Sequence, residues 1–329
     1  MTDPSGDKPV HDTDDPVFQP DGVFHPGTIP EDFRCGYVAI IGMPNVGKST
    51  LLNALLGQKI SIVTPKPQTT RHRLLGILTT DSYQTIFLDT PGMLEPKYLL
   101  QERMMEQVSL AIGDADVLLL LVDATKAASN AWLEQDAMVA RLKETGTPAI
   151  LIINKIDRVQ KLAILPMIAS YAGTGLFTEI IPVSALKRDG TAEILSALVK
   201  LLPRHPPLYP ADIVSEQSER FFVSEIVREK VFLNCKEEIP YSTAVDIVEF
   251  KEREKGKTFI RGEIYVERDS QRGIVIGRDG AMLKKIGAAA RREAESFLQH
   301  EVYLELHVKV REEWRRKGEW LDKMGYKTQ

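Results

Sequence analysis

The sequence has no long apolar run. No stretch of its 329 residues approaches the ~18 consecutive apolar residues of a spanning helix, so no segment is expected to cross a membrane. Cysteine is scarce: Cys35 and Cys235 stand far apart. The start, "MTDPSGDKPVHDTDDP", is acidic and lacks the apolar core of a secretory signal. Two buried or free thiols are expected rather than a disulfide, and a cytosolic setting fits. The six histidines are scattered, and with two cysteines they give no metal-ligand spacing. No internal repeat is visible. Strong charge of either sign is also missing, since the formal net charge is -4. That charge is uneven. Residues 1–34 hold eight Asp/Glu against two Lys/Arg, whereas residues 220–329 hold twenty against twenty-three. The mildly basic last third permits a nucleic-acid partner without requiring one.

What is present divides the chain into four parts. Residues 1–34 combine Asp, Pro and Gly with little apolar periodicity and read as a disordered leader. From 35 to 204, the short apolar runs "YVAIIG", "YQTIFLDT", "DVLLLLVDA", "PAILIINK" and "TEIIPVSA" alternate with amphipathic stretches at 98–112, 130–145 and 191–202. "HRLLGILTT" adds a further strand. This alternation predicts an α/β domain with a mostly parallel sheet and helices on both faces, binding ligands at the carboxyl ends of its strands. "LLPRHPPLYPAD" places four prolines in twelve residues, so 205–218 reads as a linker. Residues 219–329 then run helix–strand–strand–helix–helix–strand, a smaller α+β module ending in a short basic helix.

Three motifs lie at strand ends of the first domain. "GMPNVGKST" has the spacing G-x-x-x-x-G-K-[ST] between a strand and the helix "STLLNALLG". Gly42, Met43, Pro44, Asn45, Val46 and Gly47 would turn backbone N–H groups towards phosphate oxygens, with Thr50 continuing the helix. Lys48 would reach the β and γ phosphates, and Ser49 would ligate Mg2+. In "DTPGM", Asp89 would hold the Mg2+ shell. Thr90, Pro91, Gly92 and Met93 follow it where a γ phosphate is sensed. "NKID" decides the base. Asp157, an acceptor only, pairs with the N1–H and 2-amino donors of guanine, which adenine lacks. Asn154 would bridge neighbouring loops, and the Lys155 stem would cover the base. Ser184 and Ala185 of "SAL" would add backbone contact near guanine O6, a fourth and weaker signal.

In order and context, these motifs resemble the GTP-binding domains of the translation-factor-related GTPases. The resemblance covers residues 36–204 and implies hydrolysis of GTP to GDP and phosphate, with Mg2+. It also implies a loop threonine that completes the Mg2+ shell only with GTP. In "TPKPQTTRHR" that residue is Thr70, with Thr69 the alternative. Ras-like members carry a water-orienting glutamine where this chain has Met93, so slow intrinsic hydrolysis, raised by a partner or an ion, is expected. Asn45 resembles the asparagine with which some of these proteins hold K+ beside the phosphates, though a plain turn residue fits it equally.

A second glycine loop, "GIVIGRDGAMLKKIG", carries Gly277, Arg278, Asp279 and Gly280 between two helices. It resembles the G-x-x-G clamp of KH domains, which grip single-stranded RNA or DNA over about four nucleotides. Lys284 and Lys285 would neutralise phosphates, while Ile274, Ile276 and Ile286 would line an apolar groove for bases. Asp279 opposes phosphate, and Arg278 offsets it. Arg311, Arg315, Arg316 and Lys317 would add backbone contacts, with a solvated helix face the alternative. The element order is that of a type-II KH domain.

A P-loop GTPase domain, a proline linker and a type-II KH domain together resemble the Era family. "GQKISIV", "QTTRHR", "LDTPG", "SERFFVSEIVREK" and "LELHVKVR" carry the likeness. The resemblance implies GTP-gated binding of the 3′ end of small-subunit ribosomal RNA during small-subunit assembly. It also implies peripheral association with the inner membrane face. GTP would order residues 64–73 and 89–100 and so shift the KH domain. An RNA-modifying enzyme would need further catalytic residues, and a membrane-remodelling GTPase an apolar insert. The sequence displays neither.

Overall fold

The computed structural model describes residues 29–126, 144–252 and 256–326. The leader up to residue 28, the helical stretch 130–145 save its last two residues, and Lys255 at the joint "KGK" lie outside the described residues.

The first domain is one six-stranded sheet in the order β2-β3-β1-β4-β5-β6. Its strands are β1 (Arg34–Gly42), β2 (Leu74–Thr79), β3 (Tyr83–Asp89), β4 (Val117–Asp123), β5 (Ala149–Asn154) and β6 (Glu179–Val183). All pairings are parallel except that of the edge strand β2 with β3. Every residue of β4 and β5 is buried, as a strand covered on both faces requires. The alternation of strand side chains makes two cores. Ala39 and Ile41 face helix α2 (Leu99–Asp114) and helix α3 (Ile164–Ala172), through Val108, Ile112 and Tyr171. Val38 and Ile40 face helix α1 (Lys48–Leu56) and helix α4 (Thr191–Leu201), through Leu51, Leu52, Ile194 and Leu198. In-register pairing puts Asp89, Asp123, Asn154 and Val183 along one carboxyl edge, so motifs far apart in sequence meet there.

The proline-rich segment is held against the sheet. The Gln84 side chain accepts from the Leu208 and Tyr209 amides and donates to the Tyr209 carbonyl. The Ile77 amide donates to Val214, and the Ser215 hydroxyl donates to Leu75. Residues 205–218 thus form a strap along β2 and β3, with several of their backbone groups bonded to the first domain.

The second unit comprises α5 (Glu219–Asn234), β7 (Ala244–Lys251), β8 (Thr258–Val266), α6 (Asp269–Ile276), α7 (Ala281–Leu298) and β9 (Val302–Val310). The β7-β8 pair is antiparallel and the β8-β9 pair parallel, which is the expected type-II KH order. Ser218 caps α5 by accepting from the Phe221 amide. Beyond β9 the chain makes a tight turn at Trp314–Arg316 and a short helix α8 (Gly318–Lys323) in place of one basic helix. Trp314 anchors that turn: it is buried, and its indole N–H donates to the Ser242 carbonyl at 2.8 Å. Leu321 and Tyr326 pack with Leu100 and Met104 of α2, so the C-terminal segment spans both domains.

His72 lies on the same seam, stacked on Tyr326 at 4.1 Å and edge-on to Phe221. Burial, opposed by Glu225 and reinforced by Arg228 and Arg71, pushes its pKa from the ordinary 6.5 down to about 4. The unfolded chain therefore binds a proton near pH 6.5 that the folded chain refuses until about pH 4. The contribution is intact above the unfolded value and is lost as pH falls towards the folded one. The linkage is worth about 2 kcal/mol between pH 7 and pH 5. Urea unfolding at both pH values should show that loss, and His72→Phe, which keeps the stack without the proton site, should remove that part of it.

Candidate nucleotide and RNA sites

The phosphate loop owes its shape to backbone freedom at three places. Gly42, Asn45 and Gly47 have φ of 149°, 66° and 104°, and only glycine or a short polar residue adopts such angles at low cost. Lys48 follows on the first turn of α1, buried, its Nζ 3.0 Å from the Gly42 carbonyl and 3.1 Å from that of Met43. Burial lowers its pKa to about 8, against the pull of Asp89, so the ammonium is poorly compensated where phosphate charge would complete it.

Side-chain oxygens of Ser49, Thr70, Ser61 and Asp89 converge beside it. The Ser49 hydroxyl donates to Asp89 Oδ2 at 2.8 Å and lies 2.7 Å from the Thr70 hydroxyl. Ser61 also donates to Oδ2, at 2.9 Å. The other carboxylate oxygen, Asp89 Oδ1, is buried without a partner among the described residues. Desolvation raises the Asp89 pKa even so. An unpartnered buried carboxylate oxygen beside two hydroxyls is a donor set for a hard divalent cation. Thr69 points elsewhere, pairing with the Thr64 hydroxyl and the Lys66 carbonyl, so of the two candidates Thr70 joins the cluster.

The loop "DTPGM" lies directly against the phosphate loop. The Thr90 hydroxyl donates to the Ile40 carbonyl, and the Met93 amide to the Gly42 carbonyl. A Cβ on Gly92 would fall 2.6 Å from Pro44 Cα, so only glycine permits this approach. At the base end, Asn154 ties three motifs together. Its Nδ2 donates to the Val46 carbonyl, and its Oδ1 accepts from the Ala185 and Lys155 amides. Lys155 Nζ reaches the Asn45 carbonyl and Asp123, each at 2.7 Å. Asp157 is exposed, with one oxygen held by the Ser184 hydroxyl at 2.7 Å.

In the second unit, Gly277 and Gly280 both have positive φ, and a Cβ on Gly277 would lie 2.7 Å from that of Met282. Arg278, Asp279, Lys284 and Lys285 are exposed around the turn. Ile274 is 52% exposed and Ile276 is half-buried. Ile286 does not line a groove. It is fully buried and shares one helical face with Ala290 and Ala294, four and eight residues on. Nor is Arg315 free for phosphate: it pairs with Glu267 at 2.5 Å and lies over the Tyr98 ring. Arg311 stacks on Trp320, while Arg316 and Lys317 stay exposed.

Residues 37–155 match the family described as a 50S ribosome-binding GTPase, and residues 238–315 match the KH domain family. GTPase Era of Geotalea daltonii is 46% identical over 296 residues, spanning 90% of this chain and 99% of that protein. The chain belongs to the Era family of GTPases. The chloroplastic GTPase ERA1 of Zea mays is also 46% identical, over 89% of this chain and 70% of that protein. Two solved Era structures superpose with a TM-score of 0.86 at 42% identity, over 90% of this chain and all of theirs. One is Aquifex aeolicus Era bound to GDP and AlF4-. The other is Era with MgGDPNP and nucleotides 1506–1542 of 16S ribosomal RNA.

Within this Era-family frame, the phosphate, γ-phosphate and guanine candidates share one edge, and the G-x-x-G loop stands on the other domain. Sequence reasoning missed Ser61 and Asp123. Asp123 had a visible signal, a polar residue ending the buried strand β4. Ser61 had none. Met93 is buried in the core cluster that also holds Leu88 and Val108, so a side chain at this position is enclosed by apolar neighbours. Met93→Gln should therefore not speed hydrolysis. It should destabilise the fold by about 1–3 kcal/mol through an unsatisfied buried amide, as thermal unfolding and single-turnover hydrolysis would reveal.

Proposed function

We propose that this chain is a GTP-gated RNA-binding switch that recognises the 3′ end of small-subunit ribosomal RNA through its KH domain during small-subunit assembly. The observation that carries the reading is the position of the loop 60–73. On one side it delivers Thr70 to Ser49, and on the other it packs beneath α5 of the KH domain. The phosphate loop from Gly42 to Thr50 takes the GTP phosphates, with Lys48 on β and γ. The segment Asp89–Met93 responds to the γ phosphate. Asn154, Lys155, Asp157, Ser184 and Ala185 hold guanine. Ser49, Asp89 and Thr70 hold Mg2+, which when bound offsets phosphate charge. Gly277–Gly280 with Lys284, Lys285, Ile274 and Ile276 grips the RNA strand. The RNA bound to the Era relative, nucleotides 1506–1542 of 16S ribosomal RNA, supports this reading.

Fluorescence anisotropy tests the reading. The 3′ end of small-subunit RNA is compared with a scrambled strand at fixed salt, each with a non-hydrolysable GTP analogue and with GDP. Preference for the true sequence only with the analogue is expected. Equal preference with GDP would sink the gating.

Intrinsic hydrolysis is slow and rises with K+ through Asn45, whose amide is oriented by donation to the Pro65 carbonyl at 3.0 Å. Replacing KCl by NaCl should lower the wild-type rate about tenfold and leave Asn45→Ala unchanged. The protein works in the cytoplasm, and contact with the inner membrane face is peripheral. Among the described residues no helix is long and apolar enough to cross a membrane. Co-sedimentation with anionic vesicles tests that contact.

A further inference from the structure

The loop that carries Thr70 is bonded to the KH domain along most of its length. Lys59 Nζ pairs with Glu229 and Glu293, and the Val63 amide donates to Glu229 Oε1 at 2.9 Å. Lys66 Nζ donates to the Phe232 and Cys235 carbonyls at the end of α5. Thr70 itself stands between two guanidinium contacts. Before it, Arg228 of α5 donates to the Thr69 carbonyl at 2.5 Å. After it, Arg71 crosses the seam, Nη1 donating to the Thr243 carbonyl at 2.7 Å, and Nη2 to the Pro240 and Tyr241 carbonyls at 2.9 and 3.2 Å. Arg71 and Arg228 both lie against the Phe232 ring, and both are almost fully buried.

Docking alone does not explain this choice. Arg228 pairs directly with the Glu225 carboxylate, whereas Arg71 feels Glu225 without a direct ion pair and is bonded to carbonyl oxygens of the turn 240–243 and to the Tyr326 side chain. A buried cation of this kind is costly, and an apolar side chain of similar volume would dock two domains at least as well. What the planar fork supplies is direction, because several donors in a rigid plane fix where its own backbone sits.

We propose that Arg71 is a positioning residue for GTP binding. Seated in the carbonyl cradle of residues 240–243, it holds the adjacent Thr70 at Ser49 and Asp89, so that the KH domain forms one wall of the GTP-specific cation site. The inference rests on the reading of Thr70 as the ligand recruited with GTP. It makes RNA-domain docking and γ-phosphate recognition two readouts of one short segment.

The experiment measures, for the full chain, the affinity for a fluorescent GTP analogue and for fluorescent GDP across a Mg2+ titration. Arg71→Met should lower the ratio of GTP-analogue to GDP affinity about tenfold and raise the Mg2+ needed for the analogue, with GDP affinity retained. Arg71→Lys, which keeps charge but not the fork, should fall between, and it decides the case if Arg71→Met does not fold. Arg103→Met is the control. Arg103 joins the same two domains through Asp322 and the Tyr326 carbonyl and reaches the loop only through Tyr326, which stacks on His72, so its loss should lower the ratio less than Arg71→Met does. An unchanged ratio in the Arg71 variants, or equal losses in Arg71→Met and Arg103→Met, overturns the proposal. Thr70→Val separates the two layers. If it leaves the ratio intact, the reading of Thr70 fails and the proposal with it. If it lowers the ratio while the Arg71 variants do not, only the proposal fails.

Discussion

Asp157→Asn should lower GTP affinity about a hundredfold or more and create affinity for a xanthine nucleotide in its place. A carboxylate accepts two hydrogen bonds, and guanine offers two donors on one edge, N1–H and the 2-amino group. An asparagine amide keeps one acceptor and turns the other position into a donor, which meets the 2-amino group donor to donor. Xanthine carries a carbonyl there and restores the pairing. Sites built on such hydrogen bonds reject a mispaired analogue by large factors, because the buried polar groups are left without partners. The surrounding geometry should survive the change. Ser184 donates to Asp157 Oδ1 and can donate equally to an amide oxygen, and Asn154 ties its loops together independently of Asp157. Competition binding with GTP and xanthosine triphosphate checks the result. A variant that binds GTP like the wild type would remove Asp157 from the base site.

How far the chain could be read in advance depended on whether each feature was local. The buried strands announced themselves because "LLLLV" and "AILII" carry no polar residue on either face. The three strand-end motifs were legible because each is a contiguous run whose residue types are dictated by a phosphate, a cation or a base. The helix–strand–strand order gave the KH module for the same reason. Ile286 was misread because the apolar residues near a glycine loop look alike in sequence, and only the helical phase measured from Ala281 assigns it to the core beside Ala290. Arg315 looked like part of a basic run, and it took the fold to set Glu267 and Tyr98 around it. The cradle for Arg71 was hidden for a different reason. Its acceptors are backbone carbonyls of Pro240, Tyr241 and Thr243, which carry no side-chain signature and lie about 170 residues away in sequence.

Gly47→Ala should lose GTP and GDP binding together, by about a hundredfold or more, and the structure supplies its own control. Gly47 has φ of 104°, and a Cβ built there would sit 2.3 Å from Asn154 Nδ2, far inside contact distance. That nitrogen makes the bond to the Val46 carbonyl that ties the phosphate loop to the base loops, while the same side chain's oxygen holds the Ala185 amide. One added methyl group therefore has two ways out. It can push Asn154 off Val46 and Ala185, or it can unwind the turn that aims Lys48. Either one damages phosphate and base recognition at once, which is why the loss should not depend on the γ phosphate. Gly57, at the other end of α1, also has a left-handed φ, of 72°, but nothing lies within 4 Å of a Cβ built there. Gly57→Ala bears only the conformational penalty, on the order of 1 kcal/mol, and should bind both nucleotides normally. If the two variants fall alike, backbone strain accounts for the loss. If only Gly47→Ala falls, the cause is the collision with Asn154. The weak, sequence-independent RNA binding measured without nucleotide should match the wild type in both, because the G-x-x-G turn lies on the other domain.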